Sequence, residues 1–224
     1  MSDAPTPLIS GVALTPEQIR DITAAGADVL WHGYAGNPHG LAIPLDELPG
    51  LGDVVDRAEV WFGPGLSTET LRAAKSVRWL QANSAGVEGI LFPALGDRGV
   101  CVTNVKGMHT TTTSEHALAL MLALARNISQ SALAKEAGKW DPTPIESVIP
   151  MAGARVLVLG TGMIGAAIAH RCSAFDMDVH GINRTGDPVT GFETVHRVSE
   201  LAAEAAKCDW LVVAAPATDE TKHL

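Results

Sequence analysis

The chain has 224 residues, enough for one large domain or two small ones with real cores, and its composition is globular: 46% hydrophobic, 18% charged and 4% aromatic. A formal net charge of −9 with no cluster of Lys and Arg argues against a nucleic-acid partner, because phosphate contact needs concentrated positive charge. Met1-Ser2-Asp3-Ala4-Pro5 has neither the basic nor the apolar region of a signal peptide, and the longest apolar stretch, Ala117–Ala125, is far too short to span a bilayer.

In chain order, Thr15-Pro16-Glu17 opens a helix running to Ala25, with proline at its first position. Ala27–His32 reads as a strand, and Gly33–Gly52 as a Gly/Pro-rich loop. A strand at Glu59–Phe62, a helix at Ser67–Lys75 capped by Ser67 or Thr68, and strands at Arg78–Asn83 and Cys101–Asn104 follow. Strands alternating with helices imply a parallel sheet covered by helices. Thr112 and Glu115 have capping-box spacing and open the longest helix, which runs to about Ile128 or beyond. Its Ala117–Ala125 portion is apolar nearly all round, which implies burial on two sides, between domains or at a subunit interface. Lys139–Gly153 is a loop with three prolines. The three cysteines, Cys101, Cys172 and Cys208, lack C-x-x-C or metal spacing; they read as small buried hydrophobes in a reducing cytoplasm.

The most informative stretch is Ala152–Arg184. The apolar run Val156–Leu159 leads into Gly160-Thr161-Gly162-Met163-Ile164-Gly165, and a helical pattern follows with Ile164, Ile168 and Cys172 on one face. A second apolar run, Val179–Ile182, ends in Asn183-Arg184. This strand, glycine turn, helix and strand give the G-x-G-x-x-G pattern the context of a dinucleotide site. Gly160 permits the tight turn, Gly162 lets backbone approach a pyrophosphate, and Gly165 lets the helix pack closely. The helix start near Met163 and Ile164 points unpaired N–H groups at the phosphates. Another α/β protein with a glycine-rich turn, such as a methyltransferase, is the alternative. Beyond Arg184 come a weak strand at Glu193–His196, a helix from Ser199 to Lys207 and an apolar strand at Trp210–Ala215. In strand order 3-2-1-4, these make a little over half of a doubly wound sheet.

Several ordered segments resemble the D-isomer-specific 2-hydroxyacid dehydrogenases, a family that includes glyoxylate/hydroxypyruvate reductases and phosphoglycerate dehydrogenases. They are Trp79–Glu88, Val102–Gly107, Glu115–Arg126, the glycine turn and Ala214–Thr221. The resemblance runs from about Trp79 to Leu224, while the earlier residues match only in pattern. It implies an α/β protein with a flavodoxin-like substrate domain at residues 1–104, followed by an incomplete Rossmann dinucleotide-binding domain at 105–224. It assigns the substrate carboxylate to the backbone N–H groups of Gly86 and Val87, a turn that would make an anion nest. It assigns cofactor contact to Thr113, and the nicotinamide side to Pro216 and Thr221. Thr113 could equally be a helix-capping hydroxyl. His116 does not match the family's acid/base histidine, and His109 has no evident carboxylate partner in sequence.

An NAD site needs a carboxylate at the end of the second strand for the ribose 2′-OH. This chain has Asn183-Arg184-Thr185 there and no carboxylate before Asp187. An arginine suits a 2′-phosphate in charge and in its planar fork of donors, so NADP(H) is expected ahead of NAD(H). In the other reading Arg184 is a solvated loop residue and Asp187 serves the ribose. The implied substrate is a small 2-hydroxy or 2-oxo acid, the implied location cytoplasmic, and the complete protein a homodimer without metal, nucleic-acid or membrane partners. The family's catalytic Arg, Glu and His follow the Pro-x-Thr-x-x-Thr loop. They are therefore expected to be absent from this chain, with no catalytic residue assignable. Two expectations follow: an N-terminal fragment of the dehydrogenase, or a non-catalytic short product that binds nucleotide.

Overall fold

The computed structural model describes residues 4–33, 48–87, 90, 93–141, 148–218 and 220–224. Most of the loop expected at Gly33–Gly52 and part of the proline-rich loop at Lys139–Gly153 lie outside the described residues. The chain divides into two compact units, Met1–Lys106 and Gly107–Leu224.

The first unit is a five-stranded, all-parallel sheet in the order β2-β1-β3-β4-β5. Its strands are β1 (Thr6–Ser10), β2 (Ala27–His32), β3 (Val60–Gly63), β4 (Trp79–Ala82) and β5 (Cys101–Thr103). Helix α1 (Pro16–Ala24) is closed at its start by a full capping box, in which the Thr15 hydroxyl accepts from Gln18 N–H and the Gln18 side chain accepts from Thr15 N–H. Helix α2 (Thr68–Ala73) is capped by Ser67, and a short α3 (Pro93–Asp97) precedes β5. Arg98 donates to the carbonyls of Leu71, Ala74 and Lys75 at the end of α2, where a cation meets the negative end of the helix. Trp61, Leu80, Leu71, Leu95 and Ile9 form the core of this unit.

Strand β1 is absent from the sequence expectation. It is only five residues long, contains Pro7, and shifts register between Leu8 and Ile9. Proline inside a strand removes a ladder donor and ordinarily demotes the assignment. Here Pro7 precedes the β1–β3 ladder, which begins at Leu8 and Val60, and β1 still lies between β2 and β3.

The second unit is a four-stranded parallel sheet in the order β8-β7-β6-β9. The strands are β6 (Arg155–Leu159), β7 (Asp178–Asn183), β8 (Thr194–Arg197) and β9 (Trp210–Val213). This is the expected 3-2-1-4 order. Val156, Leu157 and Val158 are wholly buried; a parallel strand covered on both faces needs such a continuous apolar run. Each such side chain contributes about 1.5–3 kcal/mol on burial. On one face Val156 and Val158 pack with Ile168, Ala169 and Cys172 of α6 (Met163–Ser173) and with Met121 and Ala125 of α4 (Thr110–Ala125). On the other, Leu157, Leu159 and Ile182 pack with Val198, Leu201 and Ala205, the last two from α7 (Leu201–Ala205).

The long helix departs from expectation in two ways. It starts at Thr110 with His109 as its N-cap and no side-chain cap bond, so Thr112 and Glu115 do not form a capping box. Thr112 Oγ1 instead donates to the His109 carbonyl at 3.3 Å, inside the first turn. It also breaks at Asn127, which adopts a left-handed conformation (φ 52°), and continues as α5 (Ile128–Glu136) at an angle of 67°. One side packs on α6, while Leu120 and Leu124 are exposed by 54% and 68% within this chain. Among the described residues no single helix is long and apolar enough to cross a membrane. Cys172 is buried as expected, but Cys101 is exposed and Cys208 only half-buried.

Candidate functional site

The second unit contains a cavity of about 530 Å³ at the carboxyl ends of its strands. Leu159 and Gly160 line it from the end of β6, Ile182–Arg184 from β7, and Ala215–Pro216 from the segment after β9. Successive strands run from β6 outward through β7 and β8, and the chain then returns to place β9 on the other side of β6. A crevice beside such a reversal is where open α/β sheets take ligands.

Each glycine of the turn meets a different constraint. Gly160 has φ +100°, and a Cβ there would come within 2.7 Å of the Ala214 carbonyl. A Cβ on Gly165 would overlap the Gly160 carbonyl oxygen, so α6 seats directly on the turn. Gly162 has nothing within 4 Å of a built Cβ; its side faces open space in the cavity wall. It is also the N-cap of α6, with no side-chain cap bond. The first N–H groups of that 11-residue helix therefore remain available to an anion.

Of the residues named from sequence, Gly160, Gly162, Asn183, Arg184, Pro216 and Thr221 all line this cavity. Thr113, Met163, Ile164, Gly165 and Thr185 do not. Thr113 is exposed in the first turn of α4, Met163 is 53% exposed, and Ile164 packs into the core. The lining also includes Thr161, Thr218 and Glu220, which the sequence reading missed. Thr161 lies between two motif glycines, and Thr218 is the first threonine of Pro-x-Thr-x-x-Thr. Their positions inside the motifs were the available signal. The Thr221 hydroxyl fastens its loop by donating to the Pro216 carbonyl at 2.6 Å and accepting from Thr218 N–H at 2.8 Å.

In the first unit, the Ser84–Val87 turn follows β4. Ser84 Oγ donates to the Gly86 carbonyl at 2.7 Å, and Asn104 Nδ2 to the Ala85 carbonyl at 2.6 Å. The carbonyls are thus tied inward. The Gly86 and Val87 N–H groups have no partner among the described residues.

The expected absence of an Arg/Glu/His set, and with it the reading of a non-catalytic short product, is corrected by a network in the second unit. Arg155 Nη2 donates to Glu204 Oε2 at 3.0 Å and to His180 Nδ1 at 3.2 Å. His180 therefore carries its proton on Nε2, which lies 2.9 Å from Asp178 Oδ2. His196 Nε2 lies 3.7 Å from Glu204 Oε2 and stacks on His180 with ring centroids 5.8 Å apart. An arginine, a histidine and a carboxylate in mutual contact resemble an intact catalytic triad in composition. Glu204 is held below the ordinary carboxylate value by its hydrogen bond from Lys207, against the cost of burial, with further help from the charges of His196, Lys207 and Arg155. The set was invisible in sequence because β6, β7, β8 and α7 each supply one member, up to 49 positions apart. It occupies the α7 face of the sheet, since Arg155 and His180 alternate with Leu157 and Ile182 on that face. None of the four residues lines the cavity.

A family profile described as the NAD binding domain of D-isomer specific 2-hydroxyacid dehydrogenases matches residues 118–224. The chain is 31% identical over 181 residues to a D-3-phosphoglycerate dehydrogenase of Archaeoglobus fulgidus, covering 79% of this chain and 33% of that protein. It is 31% identical over 160 residues to a hydroxyphenylpyruvate reductase of Plectranthus scutellarioides, covering 71% of this chain and 50% of the relative. The chain thus spans between a third and a half of the length of these relatives. Among solved structures, a D-isomer specific 2-hydroxyacid dehydrogenase family protein from Aeromonas salmonicida superposes with a TM-score of 0.73 at 26% identity, covering 100% of this chain and 67% of that one.

Proposed function

We propose that the chain, which matches the D-isomer-specific 2-hydroxyacid dehydrogenases over residues 118–224, serves an NADP(H)-preferring oxidoreductase acting on a small 2-hydroxy or 2-oxo acid. The observation that carries this reading is the cavity at the ends of β6, β7 and β9, with the uncapped start of α6 in its wall. Gly160 and Gly162 leave room for a pyrophosphate, and the first turn of α6 supplies its donors. When bound, the nicotinamide cofactor supplies or accepts the hydride. Pro216 and Thr221 wall the nicotinamide side of the cavity. The free N–H groups of Gly86 and Val87 make a nest for the substrate carboxylate.

The preference for NADP(H) rests on Arg184. Its side chain is exposed and has no ion-pair partner among the described residues. The nearest carboxylate in sequence, Asp187, already accepts from Thr185 Oγ1 at 2.6 Å, which disfavours it as the ribose acceptor. Calorimetric titration with NADPH and NADH tests both levels. Binding of neither cofactor would sink the dinucleotide reading, and tighter NADH binding would sink the preference. The substrate class follows relatives that reduce glyoxylate, hydroxypyruvate and hydroxyphenylpyruvate by name. A homodimer in the cytoplasm completes the proposal. Leu120, Leu124 and Ile128, all more than half exposed on α4 and α5, offer its apolar surface. Sedimentation of Leu124→Glu should then show a shift from dimer to monomer.

A further inference from the structure

Asn183 ends β7, at the position where a dinucleotide site ordinarily touches the ribose. Its hydrogen bonds leave it nothing to touch with. Oδ1 accepts from the backbone N–H groups of Thr185 at 3.1 Å and Gly186 at 2.6 Å. Nδ2 donates to the Asp187 carbonyl at 3.1 Å and to Thr161 Oγ1 at 3.2 Å. A carboxamide offers two acceptor sites and two protons, and all four are spent within the protein. The two backbone N–H donors also fix the orientation of the amide, because the nitrogen could not accept from them.

The partners of Asn183 belong to two different loops. Thr161 lies within the glycine turn, and its methyl occupies the space above Gly181, where a Cβ would come within 2.7 Å of it. Residues 185–187 form the turn that carries Arg184 off the strand. Gly186 has φ +77°, and a Cβ there would meet Arg197 Cγ at 2.8 Å, so this turn follows one narrow backbone path. Asn183 joins the path to the glycine turn through a single side chain.

We propose that Asn183 is a positioning residue: it locks the 184–187 turn to the glycine turn, so that Arg184 is presented to a 2′-phosphate, and it thereby sets cofactor choice without contacting the cofactor. This rests on the reading of Arg184 as the 2′-phosphate ligand. Breaking the lock leaves the pyrophosphate and ribose sites in place while releasing Arg184. The loss should therefore fall on NADPH and spare NADH.

The test is a double-mutant cycle on the 224-residue chain, with dissociation constants for NADPH and NADH and with amide hydrogen exchange at Thr185 and Gly186. Asn183→Ala is expected to weaken NADPH by about tenfold, about 1.4 kcal/mol, to leave NADH within about threefold, and to speed exchange at both amides, which lose their acceptor. In an Arg184→Ala background, Asn183→Ala should no longer change the NADPH/NADH ratio. Asn183→Ser keeps an acceptor for the turn but replaces the two amide protons with a single hydroxyl proton on a shorter side chain, and should fall between wild type and alanine; it carries the test should the alanine variant not fold. Equal weakening of both cofactors, additivity with Arg184→Ala, or unchanged exchange at Thr185 and Gly186 would each overturn the proposal. An NADPH/NADH ratio unmoved by Arg184→Ala alone would instead overturn the reading of Arg184, whatever the exchange data show.

Discussion

Two alanine substitutions five ångströms or so apart along one turn should have opposite consequences. Gly165→Ala places a methyl group on the carbonyl oxygen of Gly160, with Val158 Cγ1 at 3.3 Å on another side. Alanine in place of glycine ordinarily gains about 1 kcal/mol in a helix interior. Overpacking a buried site costs about 1–3 kcal/mol, occasionally more. Here the obstacle is backbone, which no rotamer change relieves, so α6 must back away from β6 and the clash outweighs the propensity. A net loss of up to about 2 kcal/mol is expected for the second unit. Gly162→Ala meets nothing within 4 Å, at φ −71° and ψ −169°. It should leave stability unchanged or raise it by up to about 1 kcal/mol through the unfolded state. Its methyl group stands in the cavity wall, however, and should weaken NADPH by about tenfold or more, about 1.4 kcal/mol. Urea titration read by hydrogen exchange of β6 and β7 isolates this unit from the first, and calorimetry gives the affinity. A Gly165→Ala chain as stable as wild type, or a Gly162→Ala chain less stable than Gly165→Ala, would refute the assignment of separate constraints.

Glu204 has a folded-state pKa below its ordinary value of 4.5, chiefly through Lys207. Its stabilisation is therefore complete above that value and is lost as pH falls through the lower folded-state value. Glu204→Gln should lower the melting temperature at pH 7 and flatten the acid limb of a melting-temperature profile; a limb of unchanged steepness would contradict the role of the network. Burial raises the Cys172 thiol to about 11, so a thiol reagent at pH 8 should label exposed Cys101 quickly and Cys172 only on unfolding, as read by peptide mass spectrometry. Arg98→Ala removes three bonds to the carbonyls ending α2 and should cost the first unit about 1 kcal/mol, measured by exchange of β3 and β4.

The legible parts of this chain were those governed by local rules. β6 and β7 are continuous apolar runs, the glycine spacing is a motif, and Pro16 after Thr15 marks a helix start; each sits within a residue or so of its expected place. β1 was hidden because it is only five residues long and contains Pro7, and its strand character rests on pairing with β2 and β3. Thr112 and Glu115 have the spacing of a capping box, but the chain enters the helix two residues earlier, at Thr110. The polar set around Arg155 has no sequence signature at all. Its members are ordinary strand and helix residues until the parallel register sets Leu157 beside His180 and Ile182 beside His196. The cavity falls between these cases: motif spacing pointed to its glycines, while the pinning of its loops through Asn183 and Thr221 required side-chain geometry.

The left-handed residue at Asn127 has a consequence for the hydrophobic length of the chain. α4 and α5 hold 16 and 9 residues, and joined straight through residues 126 and 127 they would form a rod about 40 Å long at 1.5 Å per residue. That exceeds the roughly 30 Å of a bilayer's hydrocarbon, and the two helices taken together do have the composition of a membrane span. The turn at Asn127 divides that length into two pieces pointing 67° apart, and neither alone is long and apolar enough to cross. A single backbone torsion thus turns what would be one long apolar rod into two helices of the second unit that point in different directions.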